Sequence, residues 1–429
     1  MEQTSTAARA AATPASARAR RNPHLTEREN RGAGRHGWLR LTPAYSYRLV
    51  AEELDAHARD ACGREAQVVL DPFSGSGTTG LVAAERGLRA HLVDVNPFLT
   101  WFADVKTRTV TDGEAARARE VGAAFVAEGR RLDPEGRWAP ALHRIERWWA
   151  PRELDALRIL RHLLDEAREP PPVLDLLRVA LCRTLIEVSN AAFDHQSMSF
   201  RSAEPEADGG TSVDAAAWEV WQRSLARIVD AAVTPLPGAV RAHLADARDL
   251  AACVPEPVDL LATSPPYANR MSYVRELRPY MYWLRYLTDP ADAGELDWRA
   301  IGGTWGVATS RVGAWEPAGP SPLDAELARA GAAIRVSGGR NADLLARYVH
   351  KYAHDMWRHF RSAAEVVRPG GRLVYIVGNS TFFGEVVPVQ DWYAALLAEA
   401  GMVDVDVRAI RKRNSNKALY EYAVTATRP

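Results

Sequence analysis

Two short segments constrain the fold of this 429-residue chain more than anything else in it. Asp71-Pro-Phe-Ser-Gly-Ser-Gly77 follows the apolar run Val68-Val69-Leu70 and opens onto a helix-like stretch, Thr78 to Arg86. Thr263-Ser-Pro-Pro-Tyr267 follows a second apolar run, Val258-Asp-Leu-Leu-Ala262. Short apolar runs that end in Gly or Pro turns read as buried strands of a mainly parallel sheet. A strand, a glycine turn and a helix in that order form a loop whose backbone can approach a bound nucleotide closely. In open α/β sheets, ligands lie beyond the carboxyl ends of the strands. Both segments therefore sit where a ligand is expected.

The remaining elements extend this pattern. An amphipathic helix, Arg48 to His57, precedes a first strand at Gln67–Leu70, and a second strand, Ala90–Val95, passes through Asp94. Residues 105–240 are helical by their apolar spacing, with Leu, Ile and Val at i, i+3, i+4 positions from Pro151 to Ala167 and from Val173 to Ala192. That interval is too long for a simple crossover and reads as a helical insertion. Strands follow at Arg241–Ala245, before Asp246, and at Val258–Ala262; a helix is expected from Tyr273 to Leu287 and a Gly-, Trp- and Pro-rich loop over 302–322. A long helix from Asp343 to Val367 stops at Arg368-Pro-Gly-Gly371. A strand at Arg372–Val377, a helix at Val389–Ala400 and a hairpin of Val403–Arg408 with Glu421–Ala426 close the chain. The order fits a doubly wound, mostly parallel α/β sheet of seven strands with an antiparallel last strand. By segment, 1–35 reads as a disordered tail, 36–104 and 241–429 as the two parts of the sheet domain, and 105–240 as the insertion.

Asp71-Pro-Phe-Ser-Gly-Ser-Gly-Thr-Thr79 resembles the S-adenosylmethionine loop of the amino-group DNA methyltransferases, and Thr-Ser-Pro-Pro-Tyr267 resembles their catalytic tetrapeptide with its preceding residue. The resemblance is strongest over 66–100 and 243–287, recognisable over 340–425 and weak over 105–240. It implies a Rossmann-like class I methyltransferase fold, S-adenosyl-L-methionine as cofactor, and transfer of a methyl group to the exocyclic amine of a base flipped out of double-stranded DNA. Serine at 264, where relatives that modify adenine carry an acid or amide, favours cytosine N4 over adenine N6. A cognate restriction endonuclease or defence-system subunits would be partners, and the setting would be cytoplasmic. Either 105–240 or 288–341 would read the DNA sequence.

The resemblance also distributes roles. Asp71 would take the methionine ammonium, directly or through water, and Gly75 and Gly77 would allow close backbone approach. Phe73 would pack on the cofactor, Asp94 would accept from the ribose hydroxyls and Asp246 from the adenine amino group. Ser264 and the Pro265 carbonyl would accept hydrogen bonds from the target amine, freeing a lone pair otherwise delocalised into the ring, with no covalent enzyme intermediate. Pro265 and Pro266 would stiffen the loop, and Tyr267 would offer a stacking face. Three alternatives stand beside this reading. Gly75-Ser-Gly-Thr-Thr-Gly80 also matches a dinucleotide-binding GxGxxG; an RNA amino-methyltransferase would use a similar tetrapeptide; and a catalytically silent DNA-binding subunit would keep the fold.

Composition narrows the field further. The formal net charge is zero, so no global basic field advertises nucleic acid. Any such contact must come from local clusters: Arg270, Arg275, Arg278 and Arg285, or Arg408, Arg411, Lys412, Arg413 and Lys417. Cys62, Cys182 and Cys253 show neither disulfide nor metal spacing, and no metal ligand set is read from the chain. None of the three follows a proline, which argues against the nucleophile of cytosine C5 methylation. No apolar run approaches the roughly 18 residues that span a bilayer.

Overall fold

The computed structural model describes residues 26–41, 45–59, 63–192, 199–200, 211–269, 272–303, 307–413 and 419–429. Most of the tail expected over 1–35, together with Cys62, Arg270 and Lys417, lies outside these residues. The chain forms α1 (Tyr47–Ala56), β1 (Val68–Asp71), α2 (Thr78–Glu85), β2 (Arg89–Asp94), α3 (Pro97–Thr107), α4 (Asp112–Gly129), α5 (Pro151–Glu166) and α6 (Pro171–Glu187). A two-residue hairpin, β3 (Ala191–Ala192) with β4 (Ser199–Phe200), precedes α7 (Ala217–Ala232), β5 (Ala239–Leu244) and β6 (Val258–Thr263). Then come α8 (Tyr273–Trp283), α9 (Pro290–Arg299), α10 (Val307–Ala314), α11 (Asp324–Ser337) and α12 (Ala342–Val366). The chain closes with β7 (Val367–Gly378), the small hairpin β8 (Ser380–Phe382) and β9 (Glu385–Val387), α13 (Val389–Glu399), β10 (Val403–Lys412) and β11 (Tyr420–Thr427).

Seven strands form one sheet in the order β10-β11-β7-β6-β1-β2-β5. The pairs β1–β2, β1–β6, β2–β5 and β6–β7 are parallel, whereas β11 runs antiparallel to both β7 and β10. The expected mostly parallel, Rossmann-like sheet with an antiparallel last strand is what the chain builds. From β1 the winding moves outward through β2 to β5, then returns to β6 on the other side of β1. The order therefore reverses between β1 and β6, and the crevice for a ligand opens beyond their carboxyl ends.

Side chains alternate along the strands as the pleat requires. Val69, Leu260, Ala262, Val374 and Ile376 face a core with Leu49, Val50 and Leu54 of α1 and Val82 and Ala83 of α2. Val68, Leu70, Leu261, Leu373, Tyr375 and Val377 face the other way, onto α12 and α13. The helices from α3 to α8 gather a third core around fully buried Trp149, Trp218, Trp221 and Trp283, with Trp38 joined to it. Local chemistry sets several of these helices. Asn96 caps α3 by accepting from the amides of Phe98 and Leu99, with Pro97 at its first position. Thr111 and Glu114 form a capping box on α4.

Three expectations need correction. Residues 26–35 are not a disordered tail, because buried Arg35 donates to the carbonyls of Arg108 at 2.6 Å and Thr234 at 2.8 Å, pinning the segment to the helical core. The stretch read as a loop over 302–322 contains α10, and α9 and α11 were not foreseen. Tyr273 to Leu287 is not one helix: α8 ends at Trp283 and Arg285 turns at φ 63°. Among the described residues, no helix is long and apolar enough to cross a membrane.

Candidate functional site

The loops that follow β1 and β6 leave neighbouring parallel strands at the same edge, so they meet. Asp71, the last residue of β1, is fully buried and is bonded across the gap by its neighbour strand: Thr263 Oγ1 donates to its Oδ1 at 2.6 Å. Thr79 Oγ1 donates to its Oδ2 at 2.5 Å, the Phe73 amide to Oδ1 at 3.1 Å, and the Tyr45 hydroxyl to Oδ2 at 3.4 Å. Burial still pushes this carboxyl above its ordinary value, with the donors opposing. Asp71 itself does not line the cavity, although Tyr45, Pro72 and Phe73 around it do. Its carboxylate is spent on tying the two loops together.

The loop that follows is shaped by two glycines with different tasks. Gly75 turns at φ +50°, and a Cβ there would meet nothing nearer than the Phe73 carbonyl at 3.9 Å. It borders the cavity, as expected for a close-approach position. Gly77 turns at φ +73°, but a Cβ there would lie 2.9 Å from Ala103 Cβ on α3. The close approach at Gly77 is thus between helices, and Gly77 does not border the cavity described below. The amide hydrogens of this loop point inward. Phe73 donates to Asp71, Ser74 to the Val93 carbonyl at 3.0 Å, Gly75 to Asp94 Oδ2 at 3.0 Å and Gly77 to the Ser74 carbonyl at 2.8 Å.

A cavity of about 330 Å³ opens over these loops. Phe73, Gly75, Asp94, Asp246, Ser264, Pro265, Pro266 and Tyr267 all border it. Asp94 accepts from the amides of Gly75 and, at 2.8 Å, Asn96, and burial pushes its carboxyl up to about 6 against those bonds. Asp246 is gripped by Arg248, whose Nη2 lies 2.6 Å from Oδ2, while Arg248 Nη1 reaches Asp355 at 2.8 Å. Although burial opposes it, that guanidinium holds Asp246 below the usual carboxylate range. Phe73 stands edge-on to buried His359 with ring centres 4.8 Å apart. The His359 Nδ1 faces the Ala247 carbonyl at 2.8 Å and must carry the proton, so Nε2 accepts from the Tyr375 hydroxyl at 2.9 Å. Burial lowers its pKa to about 4, which keeps the ring neutral.

The second loop is braced at nearly every residue. The Pro266 carbonyl accepts from the Tyr352 hydroxyl at 2.8 Å, and Tyr352 is bonded to the Tyr393 hydroxyl at 2.6 Å. The Tyr267 amide donates to the Tyr273 hydroxyl at 3.1 Å, and the Tyr267 hydroxyl donates to Glu421 at 3.1 Å. Arg411 holds the same Glu421 through two bonds of 2.6 and 2.7 Å. The guanidinium of Arg413 lies over the Tyr267 ring, 5.0 Å from its centre. A planar ligand stacking on Tyr267 must therefore take the other face or displace Arg413.

Several residues of the basic clusters read from the sequence are engaged within the molecule. Arg285 pairs with Asp165 at 3.0 Å and covers Trp138, Arg408 pairs with Glu53, and Arg411 and Arg413 serve the second loop. Tyr45, just before α1, borders the cavity too. Asn96, Asn269, Tyr273, Arg299 and Glu421 also border it and were not foreseen. Only Tyr273 carried a sequence signal, its place in an aromatic-rich helix, and such helices are more often core. No family model, curated protein or solved structure matches the chain.

Proposed function

We propose that this protein is an S-adenosyl-L-methionine-dependent DNA methyltransferase of class I fold, acting on the exocyclic amine of a flipped-out base, cytosine N4 before adenine N6. The observation that carries the reading is the meeting of the two loops. The glycine loop after β1 and Ser264-Pro265-Pro266-Tyr267 after β6 border one cavity at the point where strand order reverses.

The residues fit this cofactor better than a dinucleotide. A pyrophosphate needs outward-facing backbone amides, and those of Phe73, Ser74, Gly75 and Gly77 are already committed inward. Beside Arg299, Arg411 and Arg413, the cavity presents the carboxylates of Asp94 and Asp246, which suit hydroxyl and amino donors, whereas Glu421 is taken up by Arg411 and Tyr267. Asp94 would hold ribose hydroxyls with lone pairs left over by its two amide donors. Phe73 would pack on an adjacent ring. Asp246 keeps acceptor capacity beside Arg248, as a carboxylate has about four lone-pair sites. S-Adenosylmethionine bound there supplies an electrophilic methyl group.

The chain's own work is positioning and electrostatics. Ser264 Oγ and the Pro265 carbonyl accept hydrogen bonds from the target amine and draw it from planar toward tetrahedral geometry, which localises the lone pair. The consecutive prolines fix the carbonyl's direction, and the Tyr352 bond to the next carbonyl holds the loop in register. The exocyclic amine is unreachable inside a stacked duplex, so the base must enter this cavity extruded.

The test is nucleoside analysis of duplex DNA treated with the protein and isotopically labelled S-adenosylmethionine. N4-methylcytosine is expected. N6-methyladenine would keep the reaction class and change the base. Label in RNA alone would move the substrate class, and neither modified base together with no calorimetric cofactor binding would favour a silent DNA-binding subunit.

A further inference from the structure

A second chemically distinctive cluster lies on α12, outside the cavity. His350 and His354 stand one helical turn apart on this helix, and Asp324 opens α11 beside them. One side-chain ligand atom from each of the three residues lies within 4.8 Å of the others. The Nε2 of His354 is 3.3 Å, and that of His350 3.8 Å, from the same oxygen, Asp324 Oδ1. The other carboxylate oxygen accepts from the Ser321 amide at 3.0 Å, which aims Oδ1 at the two rings. Trp315 packs edge-on against both imidazoles at 5.7 and 5.6 Å.

Both Nε2 atoms are shut off from solvent and make no well-aligned hydrogen bond, facing only the Asp324 carboxylate, and His354 is only 8% exposed. Leaving such groups unsatisfied is costly. Protonating both would set two cations side by side, with ring centres 4.9 Å apart, against one carboxylate. A single divalent cation resolves all three groups at once. Two histidines at i and i+4 on one helix face are a recurrent zinc pair. Bonds of about 2.0–2.2 Å in tetrahedral geometry place ligand atoms roughly 3.4 Å apart. The observed 3.3 and 3.8 Å are close to that spacing.

We propose that Asp324, His350 and His354 bind one first-row divalent transition metal of the zinc class, with water completing the shell on the exposed side of Asp324. Imidazole nitrogen with carboxylate oxygen suits zinc, cobalt or nickel rather than magnesium or calcium. The ion fastens α11 to α12. None of its ligands borders the cavity, so the ion takes no part in the chemistry there. It still bears on the cavity, since Tyr352, between the two histidines, holds the Pro266 carbonyl, and Asp355, next to His354, holds Arg248. His350-Lys-Tyr-Ala-His354 supplies only two ligands along the sequence, the third coming from a separate helix. The proposal is independent of the methyl-transfer reading.

The experiment uses the full chain, stripped with a chelator and titrated with zinc chloride by calorimetry, alongside Co²⁺ followed by visible absorption. One equivalent of zinc should bind at micromolar affinity or tighter, raise the melting temperature, and be lost to chelator. Co²⁺ should give the intense visible bands of a tetrahedral site. His350→Gln and His354→Gln should each weaken zinc binding by about 100-fold, and Asp324→Asn by at least about tenfold, since each variant leaves only two of the three protein ligands. Asp324 and His350 are the more exposed positions, so their variants keep the test alive if His354→Gln does not fold. Absence of saturable one-to-one binding, or unchanged affinity in Asp324→Asn and His350→Gln, would overturn the assignment.

Discussion

Replacing Asp94 with Asn separates charge from shape at the proposed cofactor half-site. Its carboxyl is pushed up to about 6 by burial, the opposing bonds coming first from Asn96 and then from Gly75. Ribose hydroxyls donate to the ionised form, so ligand binding and protonation compete. For a group at about 6 the ionised fraction falls from about 0.9 at pH 7 to about 0.1 at pH 5, and the Kd for S-adenosylmethionine should rise about tenfold across that window. Asp246, held low by Arg248, stays ionised there and does not confuse the slope. For folding the sign is reversed. A carboxyl whose folded value exceeds its ordinary 3.8 is least favourable when ionised, so its contribution is best below 3.8 and is lost as pH rises through about 6. Asp94→Asn should therefore not unfold the protein at pH 7 through loss of charge. It should weaken cofactor binding by about 10- to 100-fold, the worth of a charged hydrogen bond, and flatten the pH dependence. Calorimetry at pH 5, 6 and 7 on both proteins decides the matter. A wild-type Kd that does not move across the window, or an equal slope in Asp94→Asn, would refute the role given to this carboxylate.

Ser264→Ala should lower turnover by about 10²-fold, the usual cost of one positioned catalytic hydrogen-bonding group, while cofactor affinity stays unchanged; equal losses in both would contradict the assignment. Gly77→Ala should destabilise the fold by about 2–5 kcal/mol in urea unfolding, from left-handed backbone strain and overpacking against Ala103. Gly75→Ala carries the same left-handed strain, about 1–2 kcal/mol, but no overpacking, so it should cost less stability than Gly77→Ala while losing cofactor binding; the reverse pattern would undo the division of labour between the two glycines.

The basic clusters show how a residue type can be legible and its task not. Arg411 and Arg413 stand out as positive charge in a linear sequence, which suggests a phosphate-facing surface. In the fold, Arg411 grips Glu421 and Arg413 covers Tyr267, so both are absorbed into bracing the second loop. Asp71 is a similar case. Its place at a strand tip next to a glycine turn suggested a ligand contact, but strand β6 alongside brought Thr263 within bonding distance and took up its Oδ1. The helices α9 to α11 lack a strong apolar stripe, and their stability comes from packing, α10 and α11 on α12 and α9 on α8 and α10.

What the amino-acid order determined by itself was local: which runs are apolar enough to be buried strands, where Gly and Pro force the chain to turn, and which polar residues stand at strand ends. Those preferences act over a few residues and leave a direct trace in composition. Only the tertiary structure decided that β1 and β6 lie side by side, that Asp94 and Ser264 open onto one cavity, and that His350, His354 and Asp324 converge. Such meetings follow from burying both faces of the sheet under helices at once, a condition on the whole chain that no single stretch of it expresses.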